Sequence, residues 1–172
     1  MDRDEQEFTA VYASHYEDVL RYAVRRVGPD QVADIAAETF AVAWRRLEKV
    51  PLQQPLPWLY AVARNMVSNV ARRDQRRGEV LTPMDGPAAP RSSHPDHAES
   101  VIRRQATLHA FQGLREDEKE LVMLIAWEGL DMPSVAKVLD CSAAAAYIRL
   151  HRARKRLERL MENVHTGVEV NR

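Results

Sequence analysis

The sequence predicts an all-α chain: two small helical domains joined by a Pro-rich linker, the C-terminal one a helix-turn-helix. Apolar residues recur at three- and four-residue steps through most of the 172 residues, the period of amphipathic helices. No segment sustains the apolar–polar alternation of a half-buried strand. Between Gly78 and His97 the period stops, and GEVLTPMDGPAAPRSSHPDH holds four prolines and two glycines. At about 20 residues this stretch exceeds the usual connection inside a compact domain.

Composition narrows the class of protein. Hydrophobic content of 45% and charged content of 29% fit a globular chain, and no run reaches the ~20 apolar residues of a membrane span. MDRDEQEF has no apolar core of a signal peptide, so a cytoplasmic protein is expected. The single cysteine, Cys141, excludes an internal disulfide and a multi-cysteine zinc site. Net charge is zero but unevenly spread. Residues 111–140 carry three Lys/Arg and seven Asp/Glu, whereas 141–172 carry seven and three. Phosphate attraction depends on such local clusters.

Taken in order, Phe8, Val11, Tyr12, Tyr16, Val19, Leu20, Ala23 and Val27 mark a first long helix. Gly28-Pro29 is expected to end it, since glycine suits the C′ position and proline cannot continue the ladder. A second helix from about Gln31 to Lys49 has Ile35, Ala36, Phe40, Ala43, Trp44 and Leu47 as core positions. Asp34 and Glu38 lie one turn apart on its other side. Pro51, Pro55 and Pro57 break the chain, and Pro57 suits the start of a third helix, where a missing N–H costs nothing. Leu59, Val62, Ala63, Met66 and Val70 form its buried stripe, and Arg64, Ser68, Asn69, Arg72, Arg73, Arg76 and Arg77 fill its other faces.

After the linker, Ala98, Val101, Leu108 and Phe111 restart the helical period. The next helix begins near Glu116, where Glu116, Asp117 and Glu118 suit the positive end of the helix dipole. Leu121, Val122, Leu124, Ile125 and Trp127 form its apolar side, and Gly129 stops it. A short segment with Met132, Val135, Ala136 and Leu139 on one face reaches a turn at Asp140-Cys141. Ser142 can cap the helix that follows. There Leu150, Ala153, Leu157 and Leu160 share a buried face while Arg149, Arg152, Arg156 and Arg159 repeat beside it. From Cys141 to Leu160 six Lys/Arg face one acid. A merely solvated helix also carries outer charge, but the one-sided sign and the preceding short helix favour a DNA-reading helix-turn-helix. His94 and His97 lack further ligands, so no metal or cofactor is expected. Without a Gly-rich phosphate loop, metal cluster or triad, no catalysis is expected either.

Three stretches in this order resemble an extracytoplasmic-function (group IV) sigma factor of bacterial RNA polymerase. ADIAAETFAVAWRRL is similar to the family's core-binding segment, and PWLYAVARNMVSNVARRDQRR to its promoter-melting helix. LREDEKELVMLIAWEGLDMPSVAKVLDCSAAAAYIRLHRARKRL is similar to its second DNA-binding domain. The resemblance covers roughly 8–78 and 107–160. It implies a region 2 domain over 5–78, a linker over 79–97 and a region 4 domain over 98–162. The implied partners are core RNA polymerase, through its β′ clamp helices and β flap, promoter DNA and an anti-sigma factor.

The resemblance also assigns residues. Asp34, Glu38 and Arg45 match exposed positions of the polymerase-binding helix. Trp58, Tyr60, Arg64, Asn65, Arg72, Arg73, Arg76 and Arg77 fall where the family holds the melted −10 strand, which needs stacking platforms and cations. Trp58 fits a core position as well as a platform. Ser142, Tyr147, Ile148, Arg149, His151, Arg152 and Lys155 fall on the −35 reading segment. That segment departs from the family at Ala144 to Ala146, which stand for Gly-Thr-Val, and at Tyr147, in place of Lys or Arg. Asp140 replaces the usual turn glycine. Two other functions stay open: a stand-alone helix-turn-helix regulator, and a degenerate sigma-like protein that sequesters polymerase or an anti-sigma factor.

Overall fold

The computed structural model describes the backbone of residues 2–77 and 97–169 and the side chains of residues 2–76 and 105–162. The chain divides into two compact units, Met1–Pro87 and Ala88–Arg172. Among the described residues all regular structure is helical. The expected linker over 79–97 lies outside the described residues, except that His97 begins a helix.

The first unit packs α1 (Arg3–Val24), α2 (Pro29–Arg45) and α3 (Pro55–Arg77) against one another, with a 3₁₀ turn at Leu47–Lys49. Asp2 opens α1 through a capping box: its Oδ1 accepts from Arg3 N at 2.7 Å and Glu5 Oε2 accepts from Asp2 N at 3.1 Å. Gly28-Pro29 does not close α1 but opens α2. The α1 ladder already ends at Ala23 O, which accepts from Arg26 N and Val27 N, and Gly28 is an extended N-cap with Pro29 in the first turn. Likewise α3 starts at Pro55, so Pro57 falls within the first turn, where helical N–H groups have no partner anyway.

Val19, Tyr22, Ala23, Ile35, Ala36, Phe40, Ala43, Leu59 and Ala63 fill this core. Trp44, expected inside, is 47% exposed and leans edge-on against Phe8 at the rim. Buried Thr39 returns its hydroxyl to Ile35 O at 2.7 Å, the i−4 bond that satisfies a core hydroxyl.

The second unit consists of α4 (His97–Gln112), α5 (Glu116–Ala126), α6 (Met132–Val138) and α7 (Ala143–Glu169), all of the first three packing on α7. Among the described side chains of α4, Ala106 and Ala110 are buried, while Leu108 is exposed. Small residues let α4 approach closely. A Cβ at Gly113 would lie 2.7 Å from Leu160 Cδ1 of α7. Leu121, Leu124, Val135, Val138, Leu139, Ala146 and Ala153 close the core. Glu118 is 5% exposed and ties the start of α5 to α7: its Oε2 accepts from Arg115 N at 3.0 Å and lies 3.4 Å from Arg156 Nε.

Candidate nucleic-acid interface

The helix-turn-helix is built by local bonds. Asp131 caps α6, its Oδ1 accepting from Ser134 N at 2.9 Å. Hydrogen bonds from Ser134, first from its hydroxyl and then from its backbone, hold the Asp131 carboxyl below the usual range, and Lys137 acts the same way. The turn brings Cys141 N to Ala136 O at 3.0 Å and places Asp140 at φ 50°. This left-handed conformation suits Asp better than most residues and glycine best. Ser142 then caps α7, its Oγ accepting from Ala145 N at 3.1 Å.

Ala146 and Ala153 are fully buried on α7, with Leu150, Leu157 and Leu160 half-buried beside them. At 100° per residue the opposite face carries Ala144, Tyr147, Ile148, His151, Arg152 and Lys155, all exposed. The four-arginine stripe expected on one outer face is therefore divided. Arg152 and Arg159 are exposed, Arg149 is half-buried well away from Tyr147, and Arg156 turns inward to Glu118. Ala146, at a position that departs from the family pattern, is core and not a lost base contact. Exposed Arg154, Tyr147 and His151 border a cleft of about 430 Å³ also lined by Ile125, Leu130, Asp131, Met132 and Leu150.

On α3 the helical period places Trp58, Asn65, Asn69, Arg72 and Arg76 on one face, spanning about 27 Å. Trp58 is half-buried and the other four are exposed. Arg72 Nη2 donates to Asn69 Oδ1 at 3.0 Å and Arg76 Nε to Arg72 O at 3.1 Å, so two guanidinium groups lie along the helix surface. Arg73 is exposed and Arg64 half-buried on the flanks; the side chain of Arg77 lies outside the described residues. Tyr60, expected among the strand contacts, is on the opposite face. It is 3% exposed and stacks on Tyr22 with centroids 5.0 Å apart, so its ring cannot meet a base.

On α2, Asp34, Glu38 and Arg45 are exposed, and Arg45 Nη2 reaches Glu38 Oε1 at 3.4 Å. Exposed Tyr12 and Trp44 lie at the α1–α2 edge, joined through Phe8, with Phe40 packed edge-on against Tyr12. Their apolar period concealed this edge, because a rim aromatic and a core aromatic share the same spacing.

The sequence matches the family Sigma-70 region 2 over residues 11–77 and Sigma-70, region 4 over residues 104–157. It is 30% identical to the RNA polymerase sigma factor CarQ of Myxococcus xanthus over 169 residues, 97% of this chain and 96% of that one. It is 27% identical to the ECF RNA polymerase sigma factor SigL of Mycobacterium tuberculosis over 158 residues, 90% and 89% of the two chains. In fold it is similar to the sigma factor RpoE solved in complex with the anti-sigma factor NepR from Bartonella quintana. That match has a TM-score of 0.64 at 21% identity and covers 91% and 98% of the chains.

Proposed function

The chain belongs to the extracytoplasmic-function group of the sigma-70 family, and from that premise we propose which surface performs each part of its work. It is an RNA polymerase sigma factor: it binds core polymerase and directs promoter-specific initiation. In the proposed division, residues 5–78 dock on polymerase and open the −10 region, 79–97 connect, and 98–162 read the −35 region. The chain contributes recognition and no chemistry of its own. It acts where polymerase meets the chromosome, in the cytoplasm; no described helix is long and apolar enough to cross a membrane.

Polymerase docking is assigned to the exposed Asp34, Glu38 and Arg45 of α2, with Tyr12 and Trp44 at their edge. Arg and aromatic side chains are the types enriched where proteins meet. Strand capture falls to the α3 face of Trp58, Asn65, Asn69, Arg72 and Arg76, where Trp58 offers a stacking plane and the arginines neutralise phosphates. The −35 contact falls to the exposed face of α7, with Ser142 holding the helix start and Arg149 at its flank. The Bartonella sigma factor is solved with an anti-sigma factor, and a protein of that kind is proposed as a partner here too.

One observation carries this reading: α7 is the capped second helix of a helix-turn-helix and keeps His151, Arg152 and Lys155 exposed on a single face opposite its core. Run-off transcription with purified core polymerase tests it. Asp34→Arg with Glu38→Arg should abolish capture by core. Arg152→Ala with Lys155→Ala should keep core capture and lose transcripts that need the −35 element. Unchanged start-site choice in the second variant would refute the assignment of α7.

A further inference from the structure

The exposed face of α7 changes its chemistry along its length. Its first two turns present Ala144, Tyr147 and Ile148; the next two present His151, Arg152 and Lys155. Tyr147 is 57% and Ile148 52% exposed, so two large side chains form an apolar step on an otherwise polar surface. Tyr147 also lines the cleft shared with Ile125, Leu130 and Met132. In a helix-turn-helix the first residues of the second helix lie nearest the base edges. The side chains set nearest the bases are thus methyl, sec-butyl and phenol, with cations only beyond them.

The apolar group that a base pair presents in the major groove is the C5-methyl of thymine. We propose that the first two turns of α7 select thymine by methyl contact. The preferred −35 sequence then carries A·T pairs facing Ala144, Tyr147 and Ile148, followed by a guanine held by Arg152 through O6 and N7. Ala144 and Arg152 are eight residues apart, about 12 Å along the helix, or roughly three to four base pairs at 3.4 Å each. This inference rests on the assignment of α7 to −35 DNA made above.

Holoenzyme reconstituted from the full chain and core polymerase is offered promoters randomised across the −35 region. The winning promoter is then remade with deoxyuridine for thymidine, which removes methyl groups and nothing else. A·T-rich winners are expected, with promoter affinity falling roughly three- to four-fold for each contacted methyl removed. Ile148→Ser should shrink the difference between thymine and uracil promoters. Winners with G·C at these positions, or equal use of thymine and uracil promoters, would overturn the proposal. So would Ile148→Ser leaving the difference intact, the pattern expected if Tyr147 and Ile148 docked a protein instead. Failure of the sigma assignment has a separate signature, no transcript from any promoter in the library, and that result overturns both.

Discussion

Tyr60 and Trp58 stand two residues apart on α3, and the helix turns them to opposite tasks. Tyr60 is sealed against Tyr22, so Tyr60→Ala should destabilise the first unit by about 3–5 kcal/mol in urea denaturation. Trp58 shares its face with Asn65 and Arg72, so Trp58→Ala should instead suppress permanganate-detected strand opening in the holoenzyme. Arg152 and Arg156 divide in the same manner on α7. Arg156→Ala leaves the nearly buried Glu118 carboxylate with a lost partner and should cost about 2 kcal/mol. Arg152→Ala removes an exposed side chain, so thermal unfolding should move by no more than about 0.5 kcal/mol while promoter binding weakens. The Asp131 cap carries a pH dependence whose sign follows from its lowered carboxyl. Its contribution is complete at neutral pH and is lost only as pH falls through a folded-state value below the ordinary 3.8. Amide exchange at Ser134, followed downward from neutral pH, should show unchanged protection until that acid range.

At the scale of the element, turn geometry decides where helices stop. Gly129 at φ 65° and Asp140 at φ 50° bracket α6, and both need the left-handed region. Gly129→Ala should cost about 1–2 kcal/mol, whereas Asp140→Gly should gain up to about 1 kcal/mol, both read from thermal melts of the chain. These two stops and the Ser142 cap were legible in the sequence because each depends on a side chain and its immediate neighbours. Gly28-Pro29 was legible as punctuation but not as a sentence end or beginning, since the same pair serves a C′ stop or an N-cap with proline in the first turn. The inward turn of Arg156 was not legible at all. It depends on Glu118, 38 positions earlier, and no local period encodes a contact across that separation. Trp44 was misplaced for a related reason: periodicity names a helix face, but only the neighbouring helix decides how far along that face burial extends.

Across the whole molecule, zero net charge conceals cationic faces on α3 and α7 and a mixed, aromatic-edged face on α2. Such a distribution suits a protein that must meet both a protein and DNA, because each surface keeps its own sign. Promoter binding by holoenzyme should weaken steeply with salt, and Lys155→Ala should reduce the log–log slope by about one. The most direct test of the sigma assignment is run-off transcription by purified core polymerase with and without this chain. New start sites that appear only with the chain, and vanish with Arg152→Ala and Lys155→Ala while core capture persists, are expected. A core enzyme that fails to bind the chain, or binds it and gains no start sites, would contradict it.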